Sequence, residues 1–168
     1  PSAVPMLPPQ MYLRFVELTH LGQPRFENRG TTSMPQFFAD RFGWPEMVAA
    51  VAKAYDSLPP AERVKTAIFG NDYGQAAAID FYGPRYGLPK SIGSHLTYWM
   101  WGPRGYTGES VLVLGDNRAS LEREFDVVKP MATIGHPFAM AQEHFTLYLA
   151  QKPHQTFQTW WPQLKKYD

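Results

Sequence analysis

Twice between Lys65 and Arg104 a short apolar run ends in a polar turn and passes into a helix-forming stretch. Thr66 to Phe69 ends at Gly70 and is followed by Asn71-Asp72-Tyr73; the small-residue stretch Gly74 to Tyr82 comes next, and Gly83-Pro84 stops it. The second strand signal, around Ser91-Ile92, runs into Gly93-Ser94-His95 and then into the aromatic cluster Tyr98-Trp99-Met100-Trp101. A strand that hands over to a helix through a polar turn is the repeating unit of open α/β sheets. Ligands collect there, because unpaired N–H groups at helix N-termini lie beside the strand ends.

The flanking sequence extends the same alternation. Trp44, Met47, Val48, Val51, Tyr55 and Leu58 recur at helical spacing, with Pro45 and Glu46 in the first turn and Pro59-Pro60 after the last. Ser110-Val111-Leu112-Val113-Leu114 is a near-continuous apolar run, as in a central strand buried on both faces. Gly115-Asp116-Asn117 turns it into a polar helix predicted over Arg118 to Phe125, capped by Asp116 or Asn117. Strands are predicted over Asp126 to Ile134, with Pro130 suiting an edge, and over Phe145 to Ala150. The loop Gly135 to Met140 lies between them, and a last helix sets Phe157, Trp160, Trp161 and Leu164 on one face. The predicted fold is α/β, a three-layer α/β/α sandwich with a mostly parallel, Rossmann-like sheet over residues 44–168. Residues 1–43 read as a Pro- and Gly-rich linker and N-terminal extension that packs on the domain late. They include a short helix from Gln10 to Leu18 with Met11, Phe15 and Leu18 on one face, and disorder is expected at the beginning.

Composition narrows the chemistry. At 168 residues, 44% of them hydrophobic, the chain suits one domain with its own core. Lys and Arg number 16 against 15 Asp and Glu, and the resulting +1 gives no electrostatic reason to expect nucleic acid. The absence of cysteine excludes disulfides, thiol catalysis and cysteine metal sites. No apolar run is long enough to cross a bilayer, and the opening Pro1-Ser2-Ala3-Val4-Pro5 leads to the expectation of a piece of a longer protein.

The candidate binding residues cluster around the two turns. Gly70 to Gly74 lacks both the GxGxxG and the GxxxxGK[ST] patterns, so nucleotide binding has little support. Asn71, Asp72, Tyr73 and Gln75 suit either an Asn/Asp helix cap or hydrogen bonds to a polar ligand. Ser94 and His95 are sequence neighbours without a GxSxG elbow, which argues against a hydrolase triad. The histidines show no compact metal spacing; His95 and His144, beside Ser94 and Glu143, are the two nearest to strand ends. Tyr98, Trp99 and Trp101 suit a stacking platform for sugar rings or a filled core. Arg85 and Arg104 each follow a Gly-Pro pair, placed to clamp a phosphate or carboxylate or to bridge loops.

Three segments carry a resemblance: PQFFADRFGWPEMVAAVA (Pro35 to Ala52), AIFGNDYGQAAAIDFYGPRYGLP (Ala67 to Pro89) and SHLTYWMWGPRGYTGESVLVLG (Ser94 to Gly115). Together they resemble the C-terminal soluble domain of bacterial membrane glycosyltransferases, the enzymes similar to protein O-mannosyltransferases and aminoarabinose transferases. The resemblance spans about Leu7 to Leu164. It implies a periplasmic, extracytoplasmic domain attached to a transmembrane portion in the bacterial inner membrane. The parent would transfer a sugar from a polyprenyl-phosphate donor to an acceptor. Its catalytic carboxylate would lie between early membrane helices, with a divalent metal in some members. No position here matches that motif, so no catalytic residue, cofactor or metal is expected in this segment. Its role would be auxiliary: holding an acceptor, a glycan or a lipid phosphate. The alternatives are a purely structural module packed on the membrane part and a free-standing small-molecule-binding enzyme.

Overall fold

The computed structural model describes residues 7–20 and 34–166. The start of the chain and most of the connector predicted from Thr19 to Ser33 lie outside them. The chain forms two compact units: residues up to Gly43 with Gly135–His144, and Trp44–Ile134 with the chain from Phe145 onward.

In the first unit, α1 (Pro9–Thr19) begins with proline at its first turn, where a missing N–H is harmless, and ends at His20 in the left-handed region (φ 50°). The short α2 follows (Gln36–Ala39). The face of α1 differs from the one the spacing suggests. Met11 and Leu18 are exposed, while Tyr12 is buried and meets the Phe38 ring at 4.6 Å. Leu13 and Val16 join it, with Met34, Ala39, Phe42, Phe138 and Met140 completing the cluster. The aromatic pair sets the rotation of the helix, and an i, i+4, i+7 count could not see it.

The second unit holds the sheet. Its elements are α3 (Trp44–Asp56), α4 (Pro60–Arg63), β1 (Thr66–Gly70), α5 (Tyr73–Tyr82), β2 (Ile92–Gly93), α6 (Leu96–Met100), β3 (Ser110–Leu114), α7 (Arg118–Leu121), β4 (Phe125–Ile134), β5 (Phe145–Pro153) and α8 (Phe157–Trp160). Single 3-10 turns, Gly83–Tyr86 and Trp161–Leu164, extend α5 and α8. The strand order is β2-β1-β3-β5-β4. β2 and β3 both pair with β1 in parallel, whereas β5 pairs antiparallel with β3 and with β4. The sheet is therefore mixed, and the expectation of a mostly parallel one is corrected. The reason is the link Gly135–His144: it carries no crossover helix, only the 3-10 turn Ala141–Glu143. Parallel pairing needs such a crossover, so β5 returns antiparallel and slots between β3 and β4. Pro130 lies on the edge strand opposite Tyr148, and the register shifts between Pro130 and Ala132, as a missing N–H demands.

Two further boundaries move. The helix predicted from Arg118 to Phe125 stops at Leu121, and Phe125 opens β4, because Leu121 and Phe125 bury into one cluster while Phe125 pairs with Pro153. Asn117, not Asp116, caps α7 by accepting from the Ser120 N–H at 2.9 Å.

Strand alternation divides the core between the two faces. Ile68, Leu112, Leu114, Leu147 and Leu149 point to one side, against Met47, Val48 and Val51 of α3 and Ala78 and Ile79 of α5. Ala67, Phe69, Val111, Val113 and Ala150 point to the other, against Leu121, Phe125, Phe157 and Trp161. Among the described residues no helix is long and apolar enough to cross a membrane.

Candidate functional site: a cleft at the carboxyl ends of three parallel strands

Asn71, Ser94 and Asp116 stand just past the ends of β1, β2 and β3. All three line one cleft of about 220 Å³. Its floor is the aromatic face of the sheet, Phe69, Val111 and Val113; Leu121, Phe125, Phe157, Trp160 and Leu164 form the walls. Gln163, Lys165 and Lys166 complete the rim. The apolar body and polar rim follow from the fold. The strands expose alternate residues to the second face, and the chain turns polar where the strands stop.

The rim is built on close backbone approach. A side chain at Gly70 would place its Cβ 2.7 Å from the Ala76 nitrogen, and one at Gly93 would stand 3.1 Å from the Gly70 carbonyl oxygen. Gly115 has φ +74°, and a Cβ there would meet the Gln75 amide at 2.8 Å. These glycines let the turn after β1 sit against those after β2 and β3. Asn71 then ties three segments together. Its backbone N–H donates to Gln75 Oε1 (3.0 Å), its Nδ2 donates to the Gly115 carbonyl (2.9 Å), and its Oδ1 accepts from Lys166 Nζ (2.7 Å). Lys166 is fixed by the main chain as well: its N–H donates to the Ser94 carbonyl (3.0 Å), and its own carbonyl accepts from the Leu96 N–H (3.3 Å).

Ser94 is the unusual member. It is 1% exposed, and its Oγ has no hydrogen-bond partner among the described residues. A buried hydroxyl left unsatisfied costs about 1–3 kcal/mol, and Ser94 is one of the residues that line the cleft.

The structure sorts the remaining sequence candidates. Asp72 is the N-cap of α5, accepting from the Gln75 N–H (2.9 Å), and Gln75 is buried beneath the turn: of the two readings of this stretch, these residues follow the helix cap. Tyr73 is half exposed, with its ring 6.2 Å from that of the buried His95, the residue that precedes α6. Trp99 is structural. Its Nε1 donates to the Trp161 carbonyl and Trp161 Nε1 donates to the Trp99 carbonyl, both at 2.9 Å, while Lys165 Nζ lies 4.3 Å from the Trp99 ring. Arg85 lies outside the cleft lining; its guanidinium rests over Tyr82 and Tyr86, and its Nε donates to the Tyr82 carbonyl.

Tyr98, Trp101 and Arg104 gather around a residue not singled out from sequence, Asp80. One Asp80 oxygen accepts from the Ser91 N–H (2.8 Å) and hydroxyl (2.9 Å). The other takes a long bond from Tyr98 (3.4 Å) and faces Lys90 Nζ (3.8 Å) and Arg104 Nη2 (3.9 Å). Arg104 also donates to the Ser91 carbonyl (2.9 Å) and lies over the Trp101 ring. Burial, and next the Asp80 charge, raise the Tyr98 phenol above its ordinary value. This cluster clamps α5 to α6 and accounts for the arginine as a loop bridge.

Glu143 and His144 belong to the first unit, where the His144 ring lies between the carbonyl oxygens of Met140 (3.1 Å) and His136 (3.0 Å). Among the described residues no three His, Asp or Glu side chains gather as a metal site would require. Sequence reasoning missed Lys165, Lys166, Gln163 and Trp160 as cleft residues. The adjacent lysines are visible in the sequence, but Lys166 lies 95 positions from Asn71, and no local spacing joins them. No protein-family model, curated protein or solved structure matches the chain.

Proposed function

We propose that this chain is an extracytoplasmic, non-catalytic accessory domain of a polyprenyl-phosphate-sugar-dependent membrane glycosyltransferase, and that the cleft at Asn71, Ser94 and Asp116 is where it holds a ligand. The observation that carries the binding part is that Ser94, whose buried hydroxyl has no partner among the described residues, lines an apolar-bodied cleft. The three segments quoted above support the parentage. The position of the cleft, beyond the carboxyl ends of β2, β1 and β3, is the one α/β sheets use for ligands. Helical residues pack in both core clusters, which favours a three-layer, Rossmann-like description of the parallel part of the sheet. The parent's membrane segments, its inner-membrane location and any divalent metal belong to this proposal and would reside elsewhere in the parent.

The test has two arms. The purified chain is incubated with a polyprenyl-phosphate sugar and acceptors and assayed for transfer; none is expected, and turnover would refute the accessory role. The same chain is titrated with sugar phosphates, oligosaccharides and single-chain amphiphiles while amide chemical shifts are followed. Changes at Asn71, Ser94 and Lys166 with at least one class are expected, and silence across the panel would remove the binding role, leaving the structural-module reading.

A further inference from the structure

We infer that the cleft takes a single-chain amphiphilic anion, with an apolar body seated between the sheet and α8 and an anionic oxygen head at the rim. This rests on the cleft being a binding site and goes on to name its occupant. Three observations select the class. First, the lining below the rim is hydrocarbon and aromatic, Phe69, Val113, Leu121, Phe125, Phe157 and Trp160, whose one polar atom is the Trp160 indole nitrogen. A glycan, which carries a hydroxyl on nearly every carbon, would leave those hydroxyls unpaired there. Second, the space is small, about 220 Å³. That suits a short chain or the end of a longer one. Third, Lys166 and Asp116 line the rim, and Lys165 lines it with its ammonium over the Trp99 ring. Lys166 Nζ is held in place by the neutral Asn71 amide oxygen, which leaves its charge for an incoming anion. Ser94 lines the same cleft, and its buried hydroxyl has a hydrogen to donate and no acceptor among the described residues. An oxyanion accepting from both would satisfy the hydroxyl and complement the charge.

The experiment is calorimetry on the full chain with three probes below their micelle-forming concentrations. Octyl phosphate carries both tail and charge, octyl glucoside the same tail with a neutral head, and inorganic phosphate the head alone. Octyl phosphate is expected to bind one to one and at least tenfold tighter than octyl glucoside, with no measurable heat from inorganic phosphate. Its affinity is expected to fall as salt rises, while that of the glucoside does not. Lys166→Met is expected to weaken octyl phosphate about tenfold and leave octyl glucoside unchanged. Equal affinity for the two tail-bearing probes, or salt-independent binding of octyl phosphate to the unmodified chain, would overturn the anion assignment while leaving the cleft a binding site. Binding of oligosaccharides with no response to either amphiphile would do the same. No response to any probe would overturn both.

Discussion

The two faces of the sheet are covered in different ways. On one, the thirteen-residue α3 and the ten-residue α5 press aliphatic and alanine side chains onto Ile68, Leu112 and Leu114, each fully buried. On the other, the cover is α7 and α8, four residues each, with a 3-10 turn. One-turn helices offer too few side chains at regular spacing to interdigitate with the strands. Phe125, Phe157, Trp160 and Trp161 span the distance instead, meeting edge to face or tilted at centroid separations of 5.9–6.3 Å. Large rigid rings leave gaps that leucines would fill, and the cleft is such a gap. One face is closed; the other leaves a cleft.

That contrast can be broken by substitution. The largest effect is expected from Leu112→Ala on the closed face, a loss of about 3 kcal/mol in urea unfolding, in the range for a fully buried leucine. Val113→Ala, next to it in sequence but facing the cleft, is expected to cost about 1 kcal/mol, since it already borders open space. Equal losses would mean that the faces are packed alike. Gly70→Ala comes next, at about 2 kcal/mol, because the new methyl must displace the backbone at Ala76. A milder, sharper pair follows at the rim. Asn71→Ala removes the bonds to Gly115 and Lys166 and is expected to cost about 1 kcal/mol and also to weaken ligand binding. Ser94→Ala deletes a hydroxyl that has no partner, so stability is expected to hold or rise by a few tenths of a kcal/mol, while binding falls. A destabilised Ser94→Ala would show that the hydroxyl is structurally engaged.

The smallest effect is a pH dependence. The Tyr98 phenol is raised, mainly by burial and then by Asp80, so the folded state keeps its proton above the unfolded value of about 10. The stability associated with it is present below that pH and is lost as pH climbs from there through the folded value. Tyr98→Phe is expected to flatten the alkaline limb of a stability–pH curve, and an unchanged limb would show that Tyr98 does not contribute to it.

Much of this architecture was legible because it is local. The run Ser110–Leu114 is the strand β3 residue for residue, the spacing in Trp44 to Leu58 is α3 and the turn after it, and Pro130 marks the edge strand. The strand pairing was not, because direction depends on what lies between β4 and β5 and not on either strand's composition. The site was half legible for the same reason. Asn71 and Ser94 follow apolar runs and announce themselves, whereas Lys165 and Lys166 reach the rim only through the main-chain pairing of Lys166 with Ser94 and Leu96. Asp80 sits mid-helix, where a carboxylate among small apolar residues was the available clue. The aromatic cluster left two readings open, and the structure places Trp99 in the core through Trp161 and Trp101 beneath Arg104.

The central claim is that a ligand enters where the three parallel strands end and satisfies the Ser94 hydroxyl. Amide and methyl chemical-shift mapping of the full chain with octyl phosphate tests this most directly. The account predicts perturbations confined to Asn71, Ser94, Val113, Asp116, Leu121 and Lys166 that need more octyl phosphate to appear in Ser94→Ala. Perturbations centred instead on Trp101 and Arg104, or a titration that Ser94→Ala leaves unchanged, would contradict it.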